Sequence, residues 1–316
     1  MKKLFFFLMA VFVTCAVSAQ TLIYSNNFEN GVDSSTIVGT GQIETVTTPG
    51  FGHVFHNAVG GQLLRSNYLL LPASVMQNVQ YSGNNELTIA FWVNKGTADS
   101  YFWTPIFSAY GAAPIAGANT WPMMALESRL RAYVNCGGWT DLVDSVNVNK
   151  VNFESTAWLD DAAWHYYTAT FNDNDSLAIV YVDGVIKNEW KLSGNSGGGS
   201  ISGLFTNGAD LKYICLGGNQ GWNWGDVDPA FMFDDLAIYA NALTADQIKA
   251  NMAAKTSTAV NTIPDKSQLV SEEFFTTSGA KAGNDFNRLK SGVYIKKALY
   301  SNGVTKSTKT IKFESN

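Results

Sequence analysis

Cysteine is nearly absent. Three occur in 316 residues, and the first, Cys15, falls in a leader described below. Cys136 and Cys215 leave room for one disulfide or for two buried thiols, and they exclude a disulfide-stapled framework. Histidine is as scarce, with His53, His56 and His165. His53 and His56 stand three apart in a stretch without helical period. No cysteine or carboxylate follows them at ligand spacing, which leaves a shared zinc little to build on. Basic charge is short as well: residues 20–260 carry 10 Lys/Arg against 21 Asp/Glu, a net of −11. Phosphate binding needs clustered Lys and Arg, so nucleic acid is excluded as the partner of this part. Beyond the leader no apolar run is long enough for a membrane span.

What is present begins with that leader, "MKKLFFFLMAVFVTCAVSAQ". Lys2 and Lys3 precede an apolar stretch from Leu4 to Val13, and Val17-Ser18-Ala19 supplies small residues for cleavage. Residues 1–19 therefore read as a signal peptide, and the protein is expected to be exported. Short β-type runs follow. In "ELTIAFWVN", Leu87, Ile89, Phe91 and Val93 share one face, and Thr88, Ala90 and Trp92 share the other. "RLRAYVN", "WHYYTATFN", "LAIVYVDG" and "KYICLGGN" continue the pattern between Gly, Asn and Asp clusters. Many short strands in one long domain imply an all-β sandwich or barrel. One helix is signalled, by the capping box Thr244 to Gln247 in "LTADQIKANM".

"KTSTAVNTIPDKS" is small and polar and reads as a linker. The boundaries that follow are a sandwich domain at 20–254, a linker at 255–267 and a small β module at 268–316. Charge changes sign across them, since residues 261–316 carry 9 Lys/Arg and 5 Asp/Glu. "SNG" at Ser301 to Gly303 marks a tight turn in the module.

Four pieces in order, "ELTIAFWVN", "AWHYYTATFNDNDSLAIVYVDGVI", "KYICLGGNQGW" and "DDLAIYANALTADQI", resemble laminin-G-like, concanavalin A-like domains over about residues 22–252. The resemblance implies a two-sheet antiparallel jelly-roll sandwich. Phe231 and Met232 stand where members often have a glycine before the closing strand. The tail, with Ser278-Gly279, Leu289 and Ser291-Gly292-Val293-Tyr294-Ile295 before a basic last strand, is similar to C-terminal sorting domains of type IX secretion in Bacteroidota. That implies the type IX machinery as a partner of the module and an extracellular or outer-surface destination.

The glucanases of this fold carry Glu-x-Asp-x-x-Glu, since a retaining mechanism needs two carboxyl groups about 5 to 5.5 Å apart. No Glu-x-Asp occurs in this chain. "GNSGG" (Gly194 to Gly198) matches a nucleophile-elbow pattern but lies in a Gly/Ser stretch with no helix after it. The reading is therefore a non-catalytic binding protein. Its rivals are a polysaccharide hydrolase or lyase with an atypical site, and an adhesion or structural protein that binds other proteins.

Sugars present apolar C–H faces and many hydroxyls, so their sites combine aromatic platforms with amides and carboxylates. "GGNQGWNWGDVDPAF" (Gly217 to Phe231) has that mixture in Asn219, Gln220, Trp222, Asn223, Trp224, Asp226 and Asp228. Trp103, Trp121, Trp139 and Tyr101 add rings near expected loops. The alternative is that these rings bury the loops against the sandwich. Asp234 and Asp235 are neighbours on a strand, so they point to opposite faces and cannot form an acid/base pair. Strict alternation groups Phe231, Phe233, Asp235 and Tyr239 on one face and Asp234, Leu236 and Ile238 on the other. The resemblance implies a structural calcium site built from the first-strand region and the closing strand. Glu29 and Asp234 are its candidates here.

Overall fold

The computed structural model describes residues 20–59, 67–96, 105–113, 122–134, 140–142, 157–191, 201–218, 228, 230–258, 269–300 and 305–312. The chain divides into two compact units, Met1–Met252 and Ala253–Asn316.

The first unit holds strands β1 (Leu22–Asn26), β2 (Thr36–Val38), β3 (Gln42–Thr45), β4 (His53–His56) and β5 (Tyr68–Leu71), then helix α1 (Ser74–Ser82). Strands β6 (Glu86–Asn94), β7 (Pro105–Tyr110), β8 (Met124–Glu127), β9 (Ala132–Val134) and β10 (Thr140–Leu142) come next. After them run β11 (His165–Asn172), β12 (Leu177–Val182), β13 (Val185–Lys191), helix α2 (Ser202–Thr206), β14 (Tyr213–Leu216) and β15 (Met232–Tyr239). Helix α3 (Ala245–Thr258) follows and runs four residues into the stretch expected as linker.

Two antiparallel sheets form. One has the order β13-β12-β11-β6-β15-β4-β3, with β1 also on β15; the other has the order β10-β9-β8-β7-β14-β5-β2. Their facing sides interdigitate in one core that includes Leu87, Ile89, Phe91, Val93, Phe107, Leu126, Tyr167, Ile214, Leu216, Phe233 and Leu236. Phe91 and Tyr167 stack there at 5.3 Å. The all-β sandwich is as the alternation implied, and β6 splits its residues between faces as expected. Ala90 and Trp92 turn to a second cluster with Tyr166, Tyr181, Tyr239, Leu243 and Ile248. Helix α3 packs there through Ile248 and Met252. Its capping box forms: Gln247 N–H donates to Thr244 Oγ1 (3.3 Å), and Thr244 N–H donates to Gln247 Oε1 (2.9 Å).

The closing strand departs from strict alternation. Asp235 has φ +46, and the pairing with β6 jumps from Asp234↔Trp92 to Ala237↔Ala90. This β-bulge advances the face by one residue. Phe231, Phe233, Leu236 and Ile238 therefore all reach the inter-sheet core, and Ala237 and Tyr239 join the outer cluster. The expected grouping of Asp234 with Leu236 and Ile238 is thus corrected.

The second unit is a four-stranded sheet of β16 (Leu269–Thr276), β17 (Lys281–Gly283), β18 (Gly292–Tyr300) and β19 (Thr305–Lys312), in the order β17-β16-β18-β19. Phe274, Tyr294 and Ala298 are buried on one side. Ser301 to Gly303 lie outside the described residues.

Candidate functional site

The Gly217–Phe231 segment is anchored at its first end by the Ile106 carbonyl and on its returning limb by two asparagines, Asn57 and Asn67. Gly217 N–H donates to Ile106 O (2.8 Å), and Gly217 and Gly218 have φ +71 and +79. A Cβ on Gly217 would sit 2.7 Å from Asn57 Cγ, and one on Gly218 would sit 2.8 Å from Tyr68 Cβ. Both the backbone conformation and the space there demand glycine. On the returning limb, Asn57 N–H donates to Phe231 O (2.9 Å). Asp228 Oδ2 accepts Asn67 N–H (2.7 Å), and Asn67 Oδ1 accepts Thr40 N–H (2.7 Å). Asp228 is wholly buried. The sequence placed it among sugar-facing side chains; the structure makes it an internal support of the loop stem instead. A buried carboxylate without donors is costly, and the Asn67 amide supplies one.

Asn219, Trp222, Asn223, Trp224 and Asp226 lie outside the described residues, as do Trp103, Trp139, Cys136 and the Gly194–Gly198 pattern. Next to the stem, strand alternation turns Tyr68, Ser108, Tyr110, Tyr213 and Cys215 to the side of their sheet away from the core. Cys215 faces Ser108 and Leu70 across the sheet. It is a free thiol, pushed up by burial and by the Asp228 charge, hence unreactive. Burial first, then the neighbouring Cys215, Asp228 and Tyr213, raises the Tyr68 phenol.

Elsewhere in the sandwich Trp158 touches His165 of one ionic cluster and the turn that carries another. Glu127 accepts from Arg129 Nε (2.8 Å) and from Arg131 Nε (3.0 Å), and all three residues are buried. Trp158 Nε1–H donates to Ser128 O (2.7 Å) in the turn between β8 and β9. The same indole lies edge-on to His165, at 5.8 Å. His165 Nδ1 is 2.8 Å from Asp183 Oδ2, and its Nε2 is 3.0 Å from Asp161 Oδ1. Asp183 belongs to a two-residue Asp-Gly hairpin turn with φ +54 and +71, and its Oδ1 accepts Tyr166 N–H (2.8 Å). The Asp183 bond raises the His165 pKa above its ordinary value; partial burial opposes the rise and Asp161 adds to it. No sequence pattern announces this cluster around His165.

Asp234 and Glu29 carry N–H partners. Wholly buried Asp234 accepts Asp235 N–H through Oδ1 (2.7 Å), which satisfies an amide that the bulge removes from the ladder. Glu29 accepts His53 N–H through Oε1 (3.2 Å), and its Oε2 is 3.2 Å from His53 Nδ1. His56 faces a different carboxylate, Glu44, at 2.9 Å. Among the described residues no three His, Cys, Asp or Glu side chains gather as a metal cluster. No helix among them is long and apolar enough to cross a membrane.

The chain belongs to the concanavalin A-like lectin/glucanases superfamily: the Laminin_G_3 family model matches residues 65–249. No curated protein matches the sequence. Among solved structures, the chain is similar to domain 4 of AbnA, a GH43 extracellular arabinanase from Geobacillus stearothermophilus, in complex with arabinotriose. Identity there is 18%, the TM-score is 0.47, and 73% of this chain and 98% of that one are covered. It is also similar to the receptor-binding domain of botulinum neurotoxin C/D mosaic serotype, with 11% identity and a TM-score of 0.46 over 91% and 72% of the two chains. The binding domain of botulinum neurotoxin DC in complex with SialylT gives 14% identity and a TM-score of 0.44 over 91% and 73%.

Proposed function

We propose that this protein is an exported, non-catalytic carbohydrate-binding protein whose recognition loop is Gly217–Phe231. The observation that carries the reading is the stem. Ile106 O holds Gly217 N–H, Asn57 N–H holds Phe231 O, and Asn67 holds Asp228, so both ends of an aromatic- and amide-rich loop are fixed to the sandwich. A fixed stem lowers the ordering cost of binding. Trp222 and Trp224 offer stacking platforms in this reading; Asn219, Asn223 and Asp226 offer hydroxyl partners, and Trp103 and Trp139 extend the surface. Within the lectin/glucanases superfamily, the absence of Glu-x-Asp-x-x-Glu from the sequence supports binding over glucanase chemistry.

A glycan array with the purified chain tests this. Binding to a defined glycan class, lost in Trp222→Ala and Trp224→Ala, is the expected result. Binding to no glycan removes the proposal, and release of reducing ends from pooled polysaccharides replaces it with a hydrolase.

Two further parts complete the reading. Calcium suits Glu29 and Asp234, because carboxylate oxygens are the donors that this ion takes. A chelator that leaves both the melting temperature and glycan binding unchanged removes the ion. The four-stranded module serves as a type IX sorting signal, and a chain truncated before residue 268 should then stay cell-associated. Unchanged export of that truncated chain refutes the sorting role.

A further inference from the structure

His165 is a single ring between two carboxylates, and its two nitrogens serve different parts of the fold. Nδ1 meets Asp183 in the β12–β13 turn, within its own sheet. Nε2 meets Asp161 in the 157–163 segment. That segment also reaches the other sheet, through the Trp158 bond to Ser128 O. We infer that His165 is a proton-operated latch: with both nitrogens protonated it ties the Trp158 segment to β11, and loss of one proton frees the Asp161 arm.

The chemistry follows from the donor count. An imidazolium has two N–H groups and a neutral imidazole has one. With one proton gone, a bare nitrogen lone pair would face a carboxylate oxygen, which is repulsive. Asp183 keeps the remaining N–H, because its other oxygen is already fixed by Tyr166 N–H. Asp161 is the arm that leaves: its side chain is 60% exposed, and its Oδ1 keeps the Ala163 N–H (2.9 Å) within the segment while water replaces the ring.

The groups around the ring set the range. Asp183 and Asp161 are the carboxylates on it. Asp160, beside Asp161, is paired with Lys95 at 3.2 Å from the end of β6. The Lys249 stem of α3 lies against Gly184, the residue after Asp183. Glu127 and Arg129 flank Ser128 in the chain, the residue whose carbonyl accepts from Trp158, and Arg131 joins them at Glu127. The two carboxylates hold the proton on His165 above the ordinary imidazole range, with the Asp183 bond the larger cause. The latch is therefore closed at and below the ordinary histidine pKa of about 6.5 and opens as pH rises through the raised value.

Opening is local. Asn94 Nδ2 still donates to Ala162 O (2.8 Å), and Lys95 still meets Asp160. Release therefore loosens the 157–163 segment without detaching it.

The test is NMR on the full chain between about pH 6 and pH 9, where histidine titration falls. The His165 ring signals are followed together with amide protection factors, corrected for the intrinsic pH dependence of exchange. The expected result is that protection in residues 157–163 falls about tenfold in step with His165 deprotonation, while β11 amides stay protected. His165→Gln should show the alkaline level of protection at pH 6, and Asp161→Ala, which also removes the Oδ1 acceptor of Ala163 N–H, should show that level or lower. A flat protection profile across the His165 titration overturns the latch. So does an Asp161→Ala chain that keeps the wild-type pH dependence. Equal loss of protection in β11 makes the event unfolding of the strand and overturns it as well.

Discussion

Among the described residues, the two ionic clusters near Trp158 have opposite stoichiometry. Around Glu127, one carboxylate accepts from two guanidinium groups, Arg129 and Arg131. Around His165, one cation sits between two anions, Asp161 and Asp183. The first is buried and built on guanidinium groups, which hold their charge at every pH a folded protein meets. The second reaches the surface and is centred on a side chain that titrates near neutrality. The same one-to-two arrangement is permanent in one place and conditional in the other, and the titratable centre makes the difference. Burial reinforces the contrast: breaking the inner cluster strands a charge away from water, and breaking the outer one lets water in.

Substitutions at the central groups test that contrast, and Glu127→Gln should have the largest effect. Removing one partner of a buried ionic group costs about 3–5 kcal/mol, because the remaining charges stay desolvated. Urea unfolding should show that loss at both acid and alkaline pH, since guanidinium groups keep their charge throughout that range. A loss confined to one end of the pH range would erase the distinction between the clusters.

Asp183→Asn comes next. Asparagine keeps an oxygen for Tyr166 N–H but loses the charge opposite Nδ1. A hydrogen bond at a half-exposed, charged site is worth about 1 kcal/mol after solvent screening. The cost should appear while His165 is protonated and shrink above its pKa, and that pKa should fall toward the ordinary value. The sign follows from linkage: a raised histidine pKa stabilises the fold below its unfolded value and loses that contribution as pH rises through the folded one. Equal destabilisation at both ends of the range would show that Asp183 acts through the turn alone.

Neither cluster was legible in the sequence, and the reason is physical. Alternation in Leu87–Val93 and the Thr244–Gln247 box are local patterns, so the sandwich and α3 could be read directly. Helix α1 escaped because its first turn has no side-chain cap. The Asp235 bulge escaped because a positive φ at a non-glycine residue leaves no residue-type signal. Asp228 pairs with Asn67 across 161 residues, and Trp158 with Ser128 across 30; folding creates such pairs and spacing does not announce them. The "Val-Asp-Gly" turn was visible as a hairpin signal, yet nothing in it says that the aspartate points at the histidine eighteen residues earlier. Trp222 and Trp224, the proposed recognition residues, were nominated by composition and lie outside the described residues.

The smallest effect belongs to Trp158, which touches His165 and the turn that carries the Glu127 cluster. Trp158→Phe keeps a ring beside His165 and Tyr167 but removes Nε1–H, the donor to Ser128 O. The lost neutral hydrogen bond should cost about 1 kcal/mol or less, since the indole is only half-buried and water can reach its surroundings. Its value lies in the pH profile. Both ring nitrogens of His165 still face Asp161 and Asp183 in this variant, so stability should still decline as pH rises through the His165 titration. In His165→Gln the same decline should vanish while the Glu127 cluster stays intact. If Trp158→Phe also flattens the profile, proton release at His165 is felt through the indole, and the two clusters form one coupled unit. If the slope survives in Trp158→Phe and disappears in His165→Gln, the conditional cluster acts alone, and Trp158 is a shared neighbour that carries no signal between them.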